Sequence, residues 1–113
     1  MIAAVLLRPG RVAAVTGRRA MAATNGSVSA LASALAVELA PTRGNTISPG
    51  VITTSAWNTA APDKNELFQR VAASAPARRV GEPSDVSAAA RALLTNPFIT
   101  GETLHVDGGA RWA

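Results

Sequence analysis

Nothing in the chain limits its fold more than the stretch "TNGSVSALASALAVELA", residues 24–40. Val28, Leu31, Leu35 and Leu39 recur at spacings of three and four, which lays one apolar stripe along a helix. Pro41 and then Gly44 stop it. Burying the four side chains is expected to contribute about 1.5–3 kcal/mol each before chain entropy is subtracted. The neighbouring face is different in kind. Ser29, Ala30, Ser33, Ala34 and Val37 are small enough to let a second helix approach closely, so this face is expected to form a helix–helix interface.

Such a helix needs a surface to pack on, and three short segments offer one. "IAAVLL" at 2–7 is a continuous apolar run ending at Pro9-Gly10, as suits a strand buried on both faces of a parallel sheet. "NTIS" at 45–48 runs into Pro49-Gly50, and "ETLHV" at 102–106 runs into the Gly-rich tail "DGGARWA". "VAAVT" at 12–16 is a candidate for a further short strand within an Arg- and Gly-rich loop over 8–20. The stretch "VITTSAWNTAAPDKN" reads as less ordered. Asp63 or Asn65 then caps a helix through about Ala75 that carries Leu67, Phe68 and Val71 on one side. In "RRVGEPSDVSAAARALLTN", Pro83 fits the first turn of a last helix, with Ser84 or Glu82 near its cap. Val86, Ala90, Leu93 and Leu94 form that helix's apolar face and Pro97 ends it. Strands separated by helices predict an α/β fold with a small parallel sheet of about three strands, in one domain over residues 1–113.

Composition narrows the function classes. No Cys is present, which removes disulfides and thiolate metal sites, and the single His105 lacks a ligand set. No apolar run approaches the roughly 18 residues of a membrane span. The N-terminal apolar run has no basic residue before it, so it reads as a strand rather than a signal peptide, and a cytoplasmic protein is expected. The net charge of +4 is concentrated early, at Arg8, Arg11, Arg18 and Arg19. Trp57, Phe68, Phe98 and Trp112 lie elsewhere and no Tyr occurs, so no aromatic residue is interleaved for base stacking. A solvated basic loop is expected there, not a nucleic-acid surface.

Four stretches taken together carry more than composition can. They are "ALAVELAP" with the helix around it, "NTISPGVITT", "RRVGEPSDVSAAARALLTN" and "ITGETLHVDGG". In this order and spacing, the chain from Met21 onward resembles the last third of the short-chain dehydrogenase/reductases, Rossmann-type oxidoreductases that use NAD or NADP. The resemblance implies the C-terminal portion of a doubly wound parallel sheet, without the nucleotide-binding half that precedes it in the family. "AVTGRRAMAA" at 14–23 mimics the family's Gly-rich turn only in part, because Met21 and Ala23 stand where close approach to a pyrophosphate needs glycine.

The resemblance also implies where chemistry should lie. The family's Tyr-x-x-x-Lys pair falls on Met21 and Asn25. A phenol has a proton to exchange and an ammonium can lower its pKa from about 10, whereas a thioether has no titratable proton and an amide no charge. Losing general acid–base assistance removes roughly 10²–10⁴ in rate. The family's Ser, expected near "LLRPG", has no counterpart there either. No catalytic residue is therefore assigned.

By the same resemblance, Pro49, Gly50, Ile52 and Thr54 form the far wall of the cofactor site. The Ile52 backbone would meet the nicotinamide carboxamide, and the Thr54 hydroxyl would reach the carboxamide or a phosphate. Trp57 and residues 55–75 correspond to the family's substrate lid. The expectation is a fragment or degenerate member of these oxidoreductases, inactive by itself, with weak NAD(P) binding. A small carbonyl or alcohol is its substrate only if it is active. The alternative is a self-association module built on the same fold, hence a homo-oligomer.

Overall fold

A computed structural model describes residues 4–7, 18–60 and 63–113 of the chain. Strand β1 (Ala4–Leu7) precedes helix α1 (Arg18–Glu38), strand β2 (Gly44–Pro49), the one-turn helix α2 (Trp57–Ala60) and helix α3 (Lys64–Ser74). Helix α4 (Pro83–Thr95), strand β3 (Thr103–Val106) and a 3₁₀ turn at Ala110–Trp112 complete the order. The sheet runs β1-β2-β3, with the helices flanking it. The strand expected at 12–16, and with it Arg8 and Arg11, lies outside the described residues.

β2 and β3 are parallel, as the alternation of strand and helix predicts, with Thr46 opposite Thr103 and Pro49 opposite Val106. β1 is not. It pairs antiparallel to β2, Ala4 opposite Ile47 and Leu7 opposite Gly44, which corrects the expectation of an all-parallel sheet. A ladder of four residue pairs is satisfied in either direction, so the alternation of strand and helix alone does not fix the direction of β1.

The long helix starts earlier than expected, at Arg18. The side chains it buries also differ from the predicted stripe. Ala32 and Ala36 are the buried ones, with Val28 and Leu35 half-buried beside them, while Leu31 and Leu39 stay exposed. Leu31 sits about 100° around the helix from Ala32. Small residues win that face because α1 lies close on the β2–β3 side. The Ala36 methyl would be 3.7 Å from a Cβ placed at Gly101, and Ser33 Oγ donates to the Gly101 carbonyl at 2.8 Å. Part of the small face proposed for a partner helix is thus used inside the chain.

The end of the sheet where β2 begins is fastened by polar side chains. Arg43 donates to the carbonyls of Leu93 (2.7 Å), Leu94 (2.8 Å) and Ile99 (2.9 Å), satisfying the carbonyl groups that the end of α4 leaves unpaired. Asn45, buried on β2, donates to the Ile99 carbonyl and accepts from the Glu102 N–H. The Pro83 and Glu82 assignments for α4 hold: Pro83 opens the helix, and Asp85 accepts the Glu82 N–H at 2.7 Å. At α3, Asp63 occupies the cap position, but its side chain makes no cap hydrogen bond. Among the described residues the fully buried apolar core is small: Ala32, Ala36, Ile47, Ala75 and Leu93. No helix among them is long and apolar enough to cross a membrane.

Candidate functional site

The two loops that leave the parallel strands meet at the carboxyl edge of the sheet, where open α/β sheets bind ligands. The Gly50 N–H donates to the Val106 carbonyl at 3.0 Å, which extends the β2–β3 ladder by one residue. A Cβ at position 50 would lie 2.8 Å from the Asp107 Cα, so only glycine lets the loops pass. Asp107 is nearly buried, and its carboxylate accepts the N–H groups of Gly109 (3.0 Å) and Arg111 (3.3 Å) and pairs with the Arg111 guanidinium (3.2 Å). Burial alone would raise its pKa. The hydrogen bonds from Gly109 and Arg111, with the charges of Arg111 and His105, outweigh that and hold it below the ordinary value.

The next residues are pinned from across the chain. The Gly81 N–H donates to the Val51 carbonyl (3.0 Å) and the Thr53 N–H donates to the Gly81 carbonyl (2.9 Å), a parallel bridge centred on Ile52 and Gly81. In such a bridge the flanking residues supply the hydrogen bonds, so the N–H and C=O of Ile52 itself point the other way, together. The Ile52 carbonyl accepts the Trp57 indole N–H at 2.7 Å, and its N–H has no partner among the described residues. Gly81 is held in place by the residues on either side of it. Arg79 grips Asp85 with two hydrogen bonds, 2.7 and 2.8 Å, and the same carboxylate takes the Glu82 N–H. Those bonds, from Arg79 first and Glu82 second, keep the Asp85 carboxyl well below the usual carboxylate range. A cavity of about 110 Å³ lies beneath, bounded by Val51, Gly81, Val106 and the carboxylates of Asp85 and Asp107.

The structure therefore brings Pro49, Gly50, Ile52 and Thr54 into one loop: Pro49 ends β2, and Thr54 is exposed and accepts the Trp57 N–H on its carbonyl at 3.3 Å. The stretch expected to be less ordered contains α2, whose Trp57 ring packs edge-on against Phe68 of α3, 6.3 Å between centroids. Met21 and Asn25 lie one helical turn apart on α1. The Asn25 Oδ1 is buried with no hydrogen-bond partner among the described residues. An orphaned acceptor of this kind costs stability until a donor reaches it. Sequence reasoning missed Gly81, Arg79, Asp85 and Asp107. The only available signal was a glycine between Val80 and Glu82, just ahead of the helix start at Pro83, where a close backbone approach is one reason for it.

Comparison with known proteins agrees with this geometry. A family described as Enoyl-(Acyl carrier protein) reductase matches residues 8–111. L-fucose dehydrogenase of Oryctolagus cuniculus is 42% identical over 95 residues, covering 79% of this chain and 34% of that protein. 3-Hydroxyacyl-CoA dehydrogenase type-2 of Mus musculus is 31% identical over 112 residues, covering 95% of this chain and 42% of that protein. A small-chain dehydrogenase crystallised with NADPH superposes with a TM-score of 0.81 at 38% identity, covering 88% of this chain and 46% of that one. The chain spans less than half the length of each of these three proteins.

Proposed function

The chain belongs to the short-chain dehydrogenase/reductase family of oxidoreductases, and we propose that its loop 49–54 is the nicotinamide-facing wall of an NAD(P) site. The observation that carries this reading is the orientation of Ile52. Its N–H and C=O face outward as a donor–acceptor pair, the complement of a primary carboxamide, on a loop that Gly50 and Gly81 hold rigid. The orphaned Asn25 Oδ1 fits the same group, since a ribose hydroxyl would supply the missing donor. The dinucleotide, when bound, supplies hydride transfer to or from a carbon bearing oxygen. This chain's residues orient its carboxamide end through Ile52 and Thr54.

The chain by itself does not turn over a substrate. Met21 has no proton to give at the position where the family's phenol acts, and Asn25 carries no charge to tune one. Titration with NADH and NADPH, followed by fluorescence, tests the site. Binding weaker than about 100 µM is expected, because the phosphate-binding turn supplies much of the affinity in such sites. Carbonyl reduction by the unaltered chain at an ordinary enzyme's rate would sink this reading. Turnover that appears only with Met21→Tyr and Asn25→Lys together, in a chain fused to a nucleotide-binding half, would support it.

A second reading, self-association through the same fold, is favoured by the exposed apolar side chains. Phe98 is 98% exposed and Val37 79%, with Leu31, Leu39 and Leu94 open as well. Exposed apolar side chains mark an association site where they join into one contiguous patch. Sedimentation at tens of micromolar is expected to show an oligomer, and a clean monomer would count against it.

A further inference from the structure

We infer that Trp57 is a latch that closes α2 over the Ile52 carbonyl and competes with any carboxamide ligand for that acceptor. This rests on the reading of loop 49–54 given above. Helix α2 has one turn, too short to persist without tertiary contacts. Its side-chain tie to the loop is the indole N–H on the Ile52 carbonyl at 2.7 Å, and the Trp57 backbone N–H adds a longer bond of 3.3 Å to the Thr54 carbonyl where the loop runs into the helix. Two further contacts tie it to α3: the edge of Trp57 on Phe68, and Lys64 Nζ donating to Asn58 Oδ1 at 2.6 Å. The loop beneath it needs none of these. Val51 and Thr53 are bonded to Gly81 whether or not α2 is docked, so release of the indole frees α2 and leaves Ile52 in place.

The same arrangement sets the direction of the effect. The Ile52 N–H is open toward a ligand while the C=O beside it is taken. A primary carboxamide needs both to bind in two-point fashion. The oxygen has a second lone pair, but an acceptor already bonded to the indole holds a further donor more weakly. The carboxamide's second hydrogen bond therefore strengthens when the indole leaves, and binding and latch closure oppose each other through one oxygen. Nothing in the sequence around "TSAWNTA" marks this role, because the partner atom is a backbone carbonyl.

The test is Trp57→Phe in the full chain, which keeps an aromatic ring against Phe68 and deletes the N–H. Amide hydrogen exchange over residues 55–60 is expected to rise several-fold without ligand, while Thr53 and Gly81 exchange as before. Unchanged protection of Ile47 and Leu104, paired in the sheet, verifies that the variant is folded. NADH is expected to bind several-fold more tightly to Trp57→Phe than to the unaltered chain. Unchanged exchange over 55–60 overturns the latch. Equal NADH affinity in the two chains overturns the competition and leaves the site reading standing. Binding in neither overturns both.

Discussion

The backbone of Gly50 passes so close to Asp107 that a Cβ at position 50 would be 2.8 Å from the Asp107 Cα and 2.9 Å from its Cβ. The atoms in the way are backbone and the root of a side chain held by three hydrogen bonds, so neither can move aside cheaply. Gly50→Ala is expected to destabilise the chain by about 1–3 kcal/mol, the usual range for overpacking. The urea midpoint measures it. A loss within error of zero would mean that the two loops can separate at little cost.

Gly81 offers the contrasting case. A Cβ there would meet the Ile52 Cδ1 at 2.5 Å, the flexible end of a side chain rather than backbone. Rotating Ile52 away costs about 0.5–1.5 kcal/mol, so Gly81→Ala should be milder than Gly50→Ala. Adding Ile52→Val, which removes the offending carbon, should recover most of the loss. If the double variant is no better than the single one, the contact is not what glycine relieves.

Thr46 sits at the centre of the sheet with no exposure, and its Oγ1 has no hydrogen-bond partner among the described residues. Valine has the same shape without the stranded hydroxyl. Thr46→Val should stabilise by about 1 kcal/mol, the lower end of the cost of an unmet buried polar group. Thr46→Ala, which also removes a methyl, should not. A thermal melt distinguishes them.

Arg78 holds a left-handed backbone, φ 56°, in the link between α3 and α4. A residue with a Cβ carries about 1–2 kcal/mol of strain there, and glycine none. Arg78→Gly forfeits an exposed hydrogen bond to the Ala73 carbonyl and adds freedom to the unfolded chain, yet a net gain of about 0.5–1 kcal/mol is expected. Arg78→Ala keeps the strain and loses the bond, so it should destabilise. Urea midpoints of the two variants check the ordering.

Acid should act through Asp85 and Asp107, both held below the ordinary carboxylate value. A carboxylate lowered in the fold contributes stability in full above its unfolded pKa of about 3.9, and loses it as pH falls through the folded value. These two groups should therefore leave stability unchanged from neutral pH to about 5, with their loss confined to stronger acid. Asp107→Asn should make the acid-side decline shallower in urea titrations across pH. A variant whose decline matches the unaltered chain would remove Asp107 from the account.

Much of this molecule was readable from local signals. The bounds of β2, α4 and β3 lie close to where Pro49-Gly50, Pro83, Pro97 and Gly108-Gly109 put them, since proline and glycine act on their own backbone and its immediate neighbours. The likeness of four ordered stretches to one oxidoreductase family also needed only residue identity and spacing. Tertiary structure decided the rest. It reversed β1, because four residue pairs are satisfied either way and a short apolar run carries no direction of its own. It turned Ala32 and Ala36 inward in place of the leucine stripe, because close approach to Gly101 favours small side chains over large ones. It also aimed the Ile52 backbone outward, because that direction is imposed by Gly81, a residue far along the chain whose contact with Ile52 exists only once both segments have folded.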